Sequence, residues 1–248
     1  MGATAGFLLP FHLSMTVKTK YIPYISREMT TFGEEMAPEA PAGLQKTYFF
    51  YKRCFDLTFS TLVIFGILSW LLPLIGILIK LDSGGPVFFL QKRIGKDGKW
   101  FTCYKLRTMV VNDQADECPV SEDDKRITRL GKFLRGTHLD ELPQFFNVLS
   151  GSMSVVGPRP YMSSDWQRFS AIVPGYSFRN SVKPGITGLA QVKRLHGPVT
   201  DMQTIFLRCH WDSFYVRNAG FLFDLRILRQ TVRLFPEIVV NLKDNVCT

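Results

Sequence analysis

The sequence has little of the chemistry with which proteins hold transition metals or build disulfide frameworks. Its 248 residues include only 5 Cys and 4 His. The cysteines are odd in number, form no C-x-x-C pair and have no histidine at metal-ligand spacing. This pattern argues against a zinc site and against a secreted disulfide scaffold. We interpret the cysteines as free thiols in a reducing compartment.

Several common catalytic signatures are also missing. The chain contains no G-x-x-x-x-G-K-[ST] loop, no G-x-G-x-x-G turn, no H-E-x-x-H helix and no G-x-S-x-G elbow. Their absence argues against a P-loop nucleotidase, a Rossmann dehydrogenase, a zinc protease and an α/β-hydrolase. The chemistry must therefore be sought in other residues.

Acidic residues are scarce relative to basic ones, with 21 Asp and Glu against 30 Lys and Arg. Residues 46–248 hold 27 of the basic and 17 of the acidic residues, so the positive charge lies after residue 45. Such a surplus attracts phosphates, which are found on nucleic acid, an anionic membrane surface or a phosphorylated small substrate. No recognised nucleic-acid-binding module is visible, and we predict no nucleic-acid partner.

One uncharged run dominates the first third of the chain. We predict that residues 1–45 form a weakly ordered N-terminal extension without a secretory signal. Residues 57–79 then follow without a single charge. As a helix this run would reach across about 30 Å of hydrocarbon. We therefore predict a membrane segment over residues 46–81.

The flanks and the middle of this run suggest its topology. Basic residues precede and follow it, and positive segments tend to stay on the cytoplasmic side. Pro73 predicts a kink around residues 69–73, with the Ser69 hydroxyl satisfying part of the freed backbone. A re-entrant helix meets both conditions and is favoured over a straight span. A buried core helix is the third interpretation.

The rest of the chain predicts a mixture of strands and helices. Asp97-Gly98 between β-forming residues indicates a hairpin over residues 86–109. Short helices are predicted over 127–135, 139–149 and 163–172, with a turn over 183–188. The region 221–235 predicts a basic amphipathic helix, either a surface helix or a membrane-contacting one. The fold class expected is α+β.

Asp140-Glu141 is the sharpest local feature in this part of the chain. Two adjacent carboxylates precede Pro143 in what the pattern predicts to be a first helical turn. Adjacent helical residues point about 100° apart, so one carboxylate could attack while the other holds a cation. The alternative is an Asp N-cap followed by an acidic first turn. Oxygen ligands without His or Cys favour Mg²⁺.

Several cations stand near this pair in sequence. Arg135 lies five residues before Asp140, and Arg159 lies between two prolines that fix its backbone. A guanidinium presented in this way suits bidentate binding of phosphate. Lys105 and Lys183 would add further phosphate contacts. The residues alone predict a phosphorylated substrate at a bilayer surface, and they leave the reaction open.

These residues, in this order, resemble the bacterial sugar transferases known as monotopic phosphoglycosyl transferases. The resemblance covers about residues 46–235. It rests on six ordered motifs, which are Lys52-Arg53-Cys54-Phe55-Asp56, Asp82-Ser83-Gly84-Gly85-Pro86-Val87-Phe88-Phe89, Tyr104-Lys105-Leu106-Arg107-Thr108-Met109, Leu139-Asp140-Glu141-Leu142-Pro143-Gln144, Val156-Gly157-Pro158-Arg159-Pro160 and Lys183-Pro184-Gly185-Ile186-Thr187-Gly188-Leu189-Ala190-Gln191-Val192.

The resemblance implies transfer of a sugar 1-phosphate from a UDP-sugar to undecaprenyl phosphate. It implies that Asp140 is the nucleophile, forming an aspartyl phosphosugar intermediate, and that Glu141 holds Mg²⁺. It implies substrate-phosphate contacts for Lys105, Arg135 and Arg159, and Lys183 is predicted to join them. The implied location is the cytoplasmic face of the bacterial inner membrane, in contact with lipid. A homodimer is left open.

The expected architecture follows from both lines of reasoning. A re-entrant membrane helix over 46–81, bent at Ser69 and Pro73, precedes a small cytoplasmic α/β catalytic domain over 82–248 with amphipathic interfacial helices. The sequence departs from the family where members read Asn-Gly-Arg and this chain reads Lys193-Arg194-Leu195. A catalytically silent scaffold for glycan assembly is the alternative function, although Asp140, Glu141 and Arg159 are intact.

Overall fold

The computed structural model describes residues 46–111, 124–195 and 201–246, with side chains to residue 234. The predicted extension over 1–45 lies outside the described residues. Helices and short strands alternate along the described chain, which agrees with the α+β class. Two two-stranded sheets are formed, one antiparallel and one parallel.

A long helix opens the described chain. It consists of α1 (Lys46–Val63), a π-helical segment (Ile64–Leu68) and α2 (Ser69–Asp82). Its 37 residues would measure about 55 Å at the usual rise per residue. Among the described residues, it alone is long and apolar enough to cross a membrane, judged by length and composition.

The irregular part of this helix precedes the predicted kink by about one turn. The helix continues through Pro73 to Asp82, and the departure from α-helical geometry falls at Ile64–Leu68. The Ser69 amide donates to the carbonyl of Ile64, five residues earlier, as in a π-helix. The Ser69 hydroxyl donates to the Phe65 carbonyl at 2.7 Å, so this side chain bonds to the backbone of the irregular segment.

The hairpin predicted around Asp97-Gly98 is confirmed. Strands β1 (Phe88–Ile94) and β2 (Trp100–Leu106) pair antiparallel, from Ile94 opposite Trp100 to Phe88 opposite Leu106. Asp97 and Gly98 both take positive φ, at 55° and 73°, which Asp tolerates and Gly adopts freely.

The middle of the chain forms short helices around a small parallel sheet. These are α3 (Arg129–Gly136), α4 (Gln144–Ser150) and α5 (Ser163–Ile172), as the sequence predicted within a few residues. Strands β3 (Ser154–Val156) and β4 (Gly185–Thr187) pair in parallel. The segment predicted as a turn over 183–188 therefore contains a strand.

Three more helices complete the described chain, which are α6 (Leu189–Val192), α7 (Met202–Asn218) and α8 (Phe221–Val246). In α8, which the sequence predicts to be amphipathic, Leu225 and Val232 are exposed. Its buried face carries Asp224 and Ile227 instead. Asp224 determines this face, since it accepts hydrogen bonds from Lys52, Tyr48 and Tyr215 inside the protein.

Both ends of the long helix are attached to the rest of the protein. Near its start, Lys52 Nζ lies 2.6 Å from Asp224 Oδ2 of α8. Near its end, Ile75 and Ile79 belong to a buried cluster with Leu106 and Leu134. Between these points Leu68 is buried in the main core, with an exposed fraction of 1%.

The opposite face of the long helix is apolar and exposed. Phe65 and Leu81 expose 74% and 79% of their surface. The other large apolar side chains exposed on it are Leu57, Leu62, Ile67, Trp70, Leu74, Ile77 and Leu78. An apolar face of this size marks an interaction surface, and its length suits a lipid surface.

Candidate active site

The carboxylate pair lies in a short 3₁₀ turn at the centre of the protein. The turn spans Leu139–Glu141 and precedes α4, so the pair is not in the first turn of an α-helix as predicted. His138 enters the turn with a φ of 57°. Asp140 and Glu141 are both buried, each with an exposed fraction of 8%.

Glu141 is held by two cations from different elements. Lys105 Nζ of β2 donates to its Oε1 at 2.8 Å. Arg159, which follows β3, donates from NH2 to Oε1 at 2.7 Å and from NH1 to Oε2 at 3.2 Å. The guanidinium therefore binds the carboxylate in a bidentate manner through both terminal nitrogens, a geometry that planar guanidinium and carboxylate groups favour.

Asp140 has a different environment. Among the described residues it has no hydrogen-bond partner and no ion pair within 4 Å. Burial raises the pKa of Asp140 to about 6, with a further contribution from Glu141, against the opposing charges of Lys105 and Arg135. The pair thus combines one carboxylate that is neutralised by two cations with one that has no such contact in the described structure.

The pKa of Glu141 moves in the opposite direction. Burial alone would raise it, but Arg159 and Lys105 hold the pKa of Glu141 well below its ordinary value. Glu141 in turn raises the pKa of Arg159. Adjacent acids whose environments drive their pKa values apart are typical of residues with divided chemical roles.

Arg135 completes the positive surroundings without touching either carboxylate. Its Nε donates to Thr108 Oγ1 at 2.7 Å, and burial lowers the pKa of its guanidinium. Helix α3 presents it, and Gly131 allows that helix to approach closely, because a Cβ there would overlap the Thr108 carbonyl. The structure therefore gathers Lys105, Arg135 and Arg159 around the pair.

Two arginines that the sequence analysis missed hold the loop that carries Arg159. Arg179 donates to the Arg159 carbonyl at 2.6 Å and is itself paired with Asp212 at 2.8 Å. Arg93 donates to the Pro160 carbonyl. No sequence motif marks these residues, because their role depends on contacts between distant parts of the chain. The two prolines beside Arg159 were the only local signal for this loop.

Glycines allow the same loop to pass close to β4. A Cβ on Gly157 would overlap the carbonyl of Lys183, and one on Gly188 would overlap the carbonyl of Gly157. A Cβ on Gly185 would overlap the amide of Gly157. The glycines of the two motifs identified from sequence therefore fit against each other, and this packing places Arg159 at the end of β3.

Lys183 is the predicted site residue that the structure does not bring to the pair. It precedes β4, and within the described structure it makes no hydrogen bond or ion pair with Asp140 or Glu141. Its charged neighbours are Arg53, Asp56 and Lys96. Arg194 has a φ of 63°, a conformation that favours glycine, at the position where the family reads Gly.

The donor atoms of the carboxylate pair are of the type that Mg²⁺ prefers. Both residues offer oxygen, and Mg²⁺ is commonly bound by one or two carboxylates together with substrate phosphates. Among the described residues there is no cluster of three or more acidic, His or Cys side chains that would form an all-protein cage. Both Glu141 oxygens already accept from cations, so Glu141 would hold the ion by releasing one of them. Magnesium stays a prediction.

Comparison with known proteins identifies relatives along most of the chain. The bacterial sugar transferase family matches residues 47–237. A UDP-glucose:undecaprenyl-phosphate glucose-1-phosphate transferase of Klebsiella pneumoniae is 39% identical over 225 residues, which are 88% of this chain and 48% of that protein. The exopolysaccharide production protein PSS of Rhizobium leguminosarum bv. phaseoli is 43% identical over 190 residues, which are 73% of this chain and 92% of that protein.

A third relative carries a different sugar in its name. It is the UDP-N-acetylgalactosamine-undecaprenyl-phosphate N-acetylgalactosaminephosphotransferase of Aeromonas hydrophila, 40% identical over 187 residues, which are 75% of this chain and 44% of that protein. The chain thus spans about half the length of some curated relatives and nearly all of another. On the match over residues 47–237, this chain belongs to the bacterial sugar transferase family.

Proposed function

We propose that this protein transfers a sugar 1-phosphate from a UDP-sugar to undecaprenyl phosphate. The observation that carries the proposal is the difference between two adjacent buried carboxylates. Glu141 is bound by two cations, whereas Asp140 has no such contact in the described structure. The relatives named for this reaction support it. The step belongs to the start of polysaccharide or glycoconjugate assembly.

The first half-reaction is attack by Asp140 on the β-phosphorus of the donor. A carboxylate oxygen forms a bond to that phosphorus, and the bond from phosphorus to the oxygen bridging the two phosphates breaks. The electron pair leaves with UMP, and the sugar phosphate stays on Asp140. In the second half-reaction an oxygen of undecaprenyl phosphate attacks the same phosphorus and releases the Asp140 carboxylate.

The cations stabilise the charge that develops during both steps. Lys105 and Arg159 donate hydrogen bonds to Glu141 in this structure. If these side chains turned toward the donor, they would donate to the oxygens of its diphosphate instead. The charge of Arg135 lowers the free energy of the ionised form of Asp140. Fixed charges of this kind typically contribute several kcal/mol to phosphoryl transfer. Mg²⁺, held by Glu141, would neutralise the diphosphate when bound.

The attachment of both helix ends supports a monotopic arrangement. A straight span would carry one end of the helix across the bilayer, but the Lys52 end and the Ile79 end both contact the same domain. We therefore place both ends on one side, the cytoplasmic face of the bacterial inner membrane. The exposed apolar face of the helix dips into the lipid, with the π segment as the point that accommodates a re-entrant bend.

The test is turnover by purified protein in detergent or lipid. The assay contains undecaprenyl phosphate, Mg²⁺ and a panel of UDP-sugars, and it follows UMP release by wild type and Asp140→Asn. We expect turnover with one or a few donors and a loss of at least about 1000-fold in the variant. Substantial turnover in Asp140→Asn would refute its role as nucleophile. No turnover with any donor in folded, membrane-bound protein would favour the silent scaffold.

A further inference from the structure

A second basic pocket lies apart from the carboxylate pair. It has a volume of about 190 Å³. Its walls come from the start of α1, the hairpin turn and the start of β4, and the residues that line it are Tyr48, Phe49, Lys52, Arg53, Asp56, Lys96, Ser154, Val182, Lys183 and Tyr215. None of these residues contacts Asp140 or Glu141 by a hydrogen bond or ion pair in the described structure.

The pocket carries positive charge that the protein leaves unbalanced. Lys52 is neutralised by Asp224, at 2.6 Å. Asp56 also lines the pocket and is the carboxylate that acts on Lys183, although its hydrogen bonds come from Ser154 Oγ at 3.1 Å and from the Val155 amide at 3.0 Å. Arg53, Lys96 and Lys183 remain, and within the described part of the chain none of them pairs with a carboxylate.

Arg53 and Lys183 lie close together, and Lys96 lines the same pocket with its ammonium 5.8 Å from the centre of the Phe49 ring. A Cβ atom placed on Gly151 would lie 3.3 Å from an Arg53 guanidinium nitrogen and 3.6 Å from Lys183 Nζ. Partial burial lowers the pKa of Lys183, and the charges of Arg53 and Lys96 lower it further against the opposing charge of Asp56. One carboxylate does not balance three cations, and an anion in the pocket would offset the free energy of the remaining repulsion.

The position of the pocket indicates the source of the anion. Lys52 and Arg53 lie on the turn of α1 that precedes the uncharged run of residues 57–79. Phe50 and Tyr51 on the same turn are exposed, by 65% and 59%. Aromatic and basic residues beside an apolar helix typically lie at the level of the lipid headgroups.

We infer that Arg53, Lys96 and Lys183 form an accessory site for one phosphate group, supplied by a lipid headgroup at the membrane surface. The volume is below the roughly 300–1,000 Å³ of pockets that enclose a whole drug-sized ligand, so the site suits a headgroup phosphate and not a nucleotide sugar. The inference stands apart from the transfer reaction, because it concerns binding at residues that make no contact with Asp140 or Glu141 in the described structure.

The experiment is a binding measurement on the full chain in a neutral detergent. Protein is titrated with short-chain phosphatidic acid, phosphatidylglycerol, undecaprenyl phosphate, phosphatidylcholine or inorganic phosphate, and bound ligand is counted by native mass spectrometry and calorimetry. The test variant is Lys96→Gln/Lys183→Gln. The matched control is Lys92→Gln/Lys99→Gln, which removes the same charge from exposed positions of the same hairpin outside the pocket.

We expect one equivalent of an anionic lipid to bind, with an affinity that falls about tenfold or more in the test variant and less than about twofold in the control. Arg53 is left intact because it also donates to the carbonyls of Val148 and Leu149. If the double variant fails to fold, Lys96→Gln alone, in the exposed turn, serves instead. All binding arms are repeated in Asp140→Asn, so that they do not depend on turnover.

The arms separate the sources of the phosphate. Binding of anionic lipids that inorganic phosphate does not displace supports a headgroup site. Binding of inorganic phosphate with equal affinity would overturn the headgroup as the source and leave a free-phosphate site. Equal loss of lipid binding in test and control variants, or no saturable binding by any anion, would overturn the inference altogether.

Discussion

Arg159 grips Glu141 with two nitrogens, at 2.7 and 3.2 Å, and leaves the neighbouring Asp140 without a partner among the described residues. One side chain is thus neutralised by ion pairs and the next has no such contact, although they are adjacent in sequence. The 3₁₀ turn makes this separation possible, because it points the two carboxylates toward different surroundings.

The first prediction concerns the pH dependence of attack by Asp140. A carboxyl whose pKa is raised to about 6 is protonated below that pH, and the protonated form is a poor nucleophile. We expect kcat/KM for UMP release to fall about tenfold per pH unit below pH 6. Single-turnover measurements without acceptor keep the titration of the acceptor phosphate out of the profile. A profile that stays flat down to pH 4.5 would contradict the assignment.

The second prediction concerns the contribution of Glu141 to stability. Its pKa in the folded protein is depressed, so its ion pairs stabilise the fold above its ordinary pKa of 4.5 and are lost as the pH falls below that value. Glu141→Gln leaves Lys105 and Arg159 without their counter-ion and should cost about 3 kcal/mol at neutral pH. Thermal unfolding between pH 3.5 and 7 measures both effects.

The control for this variant is Asp82→Asn, which removes an exposed carboxylate at the end of α2. It should change stability by less than about 0.5 kcal/mol. Equal losses in the two variants would show that Glu141 has no special role in the fold.

The third prediction separates positioning from stability at Arg179. Arg179→Met leaves Asp212 buried without its partner and should destabilise the protein by about 3–5 kcal/mol. Arg179→Met/Asp212→Leu removes both charges and should recover most of that stability. Its kcat should remain low, because the Arg159 carbonyl has still lost its donor. Wild-type kcat in the stable double variant would show that Arg179 does not position Arg159.

The fourth prediction compares two helical glycines. Gly131→Ala places a methyl group against the Thr108 carbonyl, and we expect a loss of about 1–3 kcal/mol together with a displaced Arg135. Gly66→Ala meets nothing within 4 Å, so any change should come from helix propensity alone, at most about 1 kcal/mol. Thermal unfolding of both variants in one detergent gives the comparison.

The fifth prediction tests the monotopic arrangement by labelling. Cys54 is exposed just before the uncharged run, and Lys80→Cys places a thiol just after it. Cys118 and Cys247 are replaced by Ser in both variants, and Cys54 is also replaced in the Lys80→Cys variant. Among the described residues, the first variant then exposes only the thiol at position 54 and the second only the thiol at position 80. An impermeant maleimide should label both in inverted vesicles and neither in spheroplasts. Labelling of the two thiols from opposite sides would establish a straight span.

The sequence predicted the elements whose signals are local. Asp97-Gly98 indicated the hairpin, and the helix predicted over 163–172 is found as Ser163–Ile172. The parallel pairing of β3 and β4 was missed because each strand has three residues and the partners are far apart in sequence. A strand this short has no readable alternation.

The sequence predicted most of the charged residues of the candidate site, but it did not predict which contacts hold them in place. Asp140, Glu141, Lys105, Arg135 and Arg159 are gathered as expected, since short motifs and the family resemblance marked them. Lys183 was assigned to this group as a cation before the Pro184-Gly185 turn, whereas in the structure its charged neighbours are Arg53, Asp56 and Lys96. Arg93 and Arg179 gave no local signal, because each acts on a backbone carbonyl about 20 or more residues away.

The burial of Leu68, Ile75 and Ile79 has a consequence for how this protein is handled. These side chains come from the apolar helix but belong to the interior of the domain that follows it. A truncated fragment that begins after Asp82 would expose Leu106 and Leu134 and leave a trough where the helix lay. The domain after Asp82 is therefore not an independent unit to which this helix has been added, because the apolar helix forms one wall of its core.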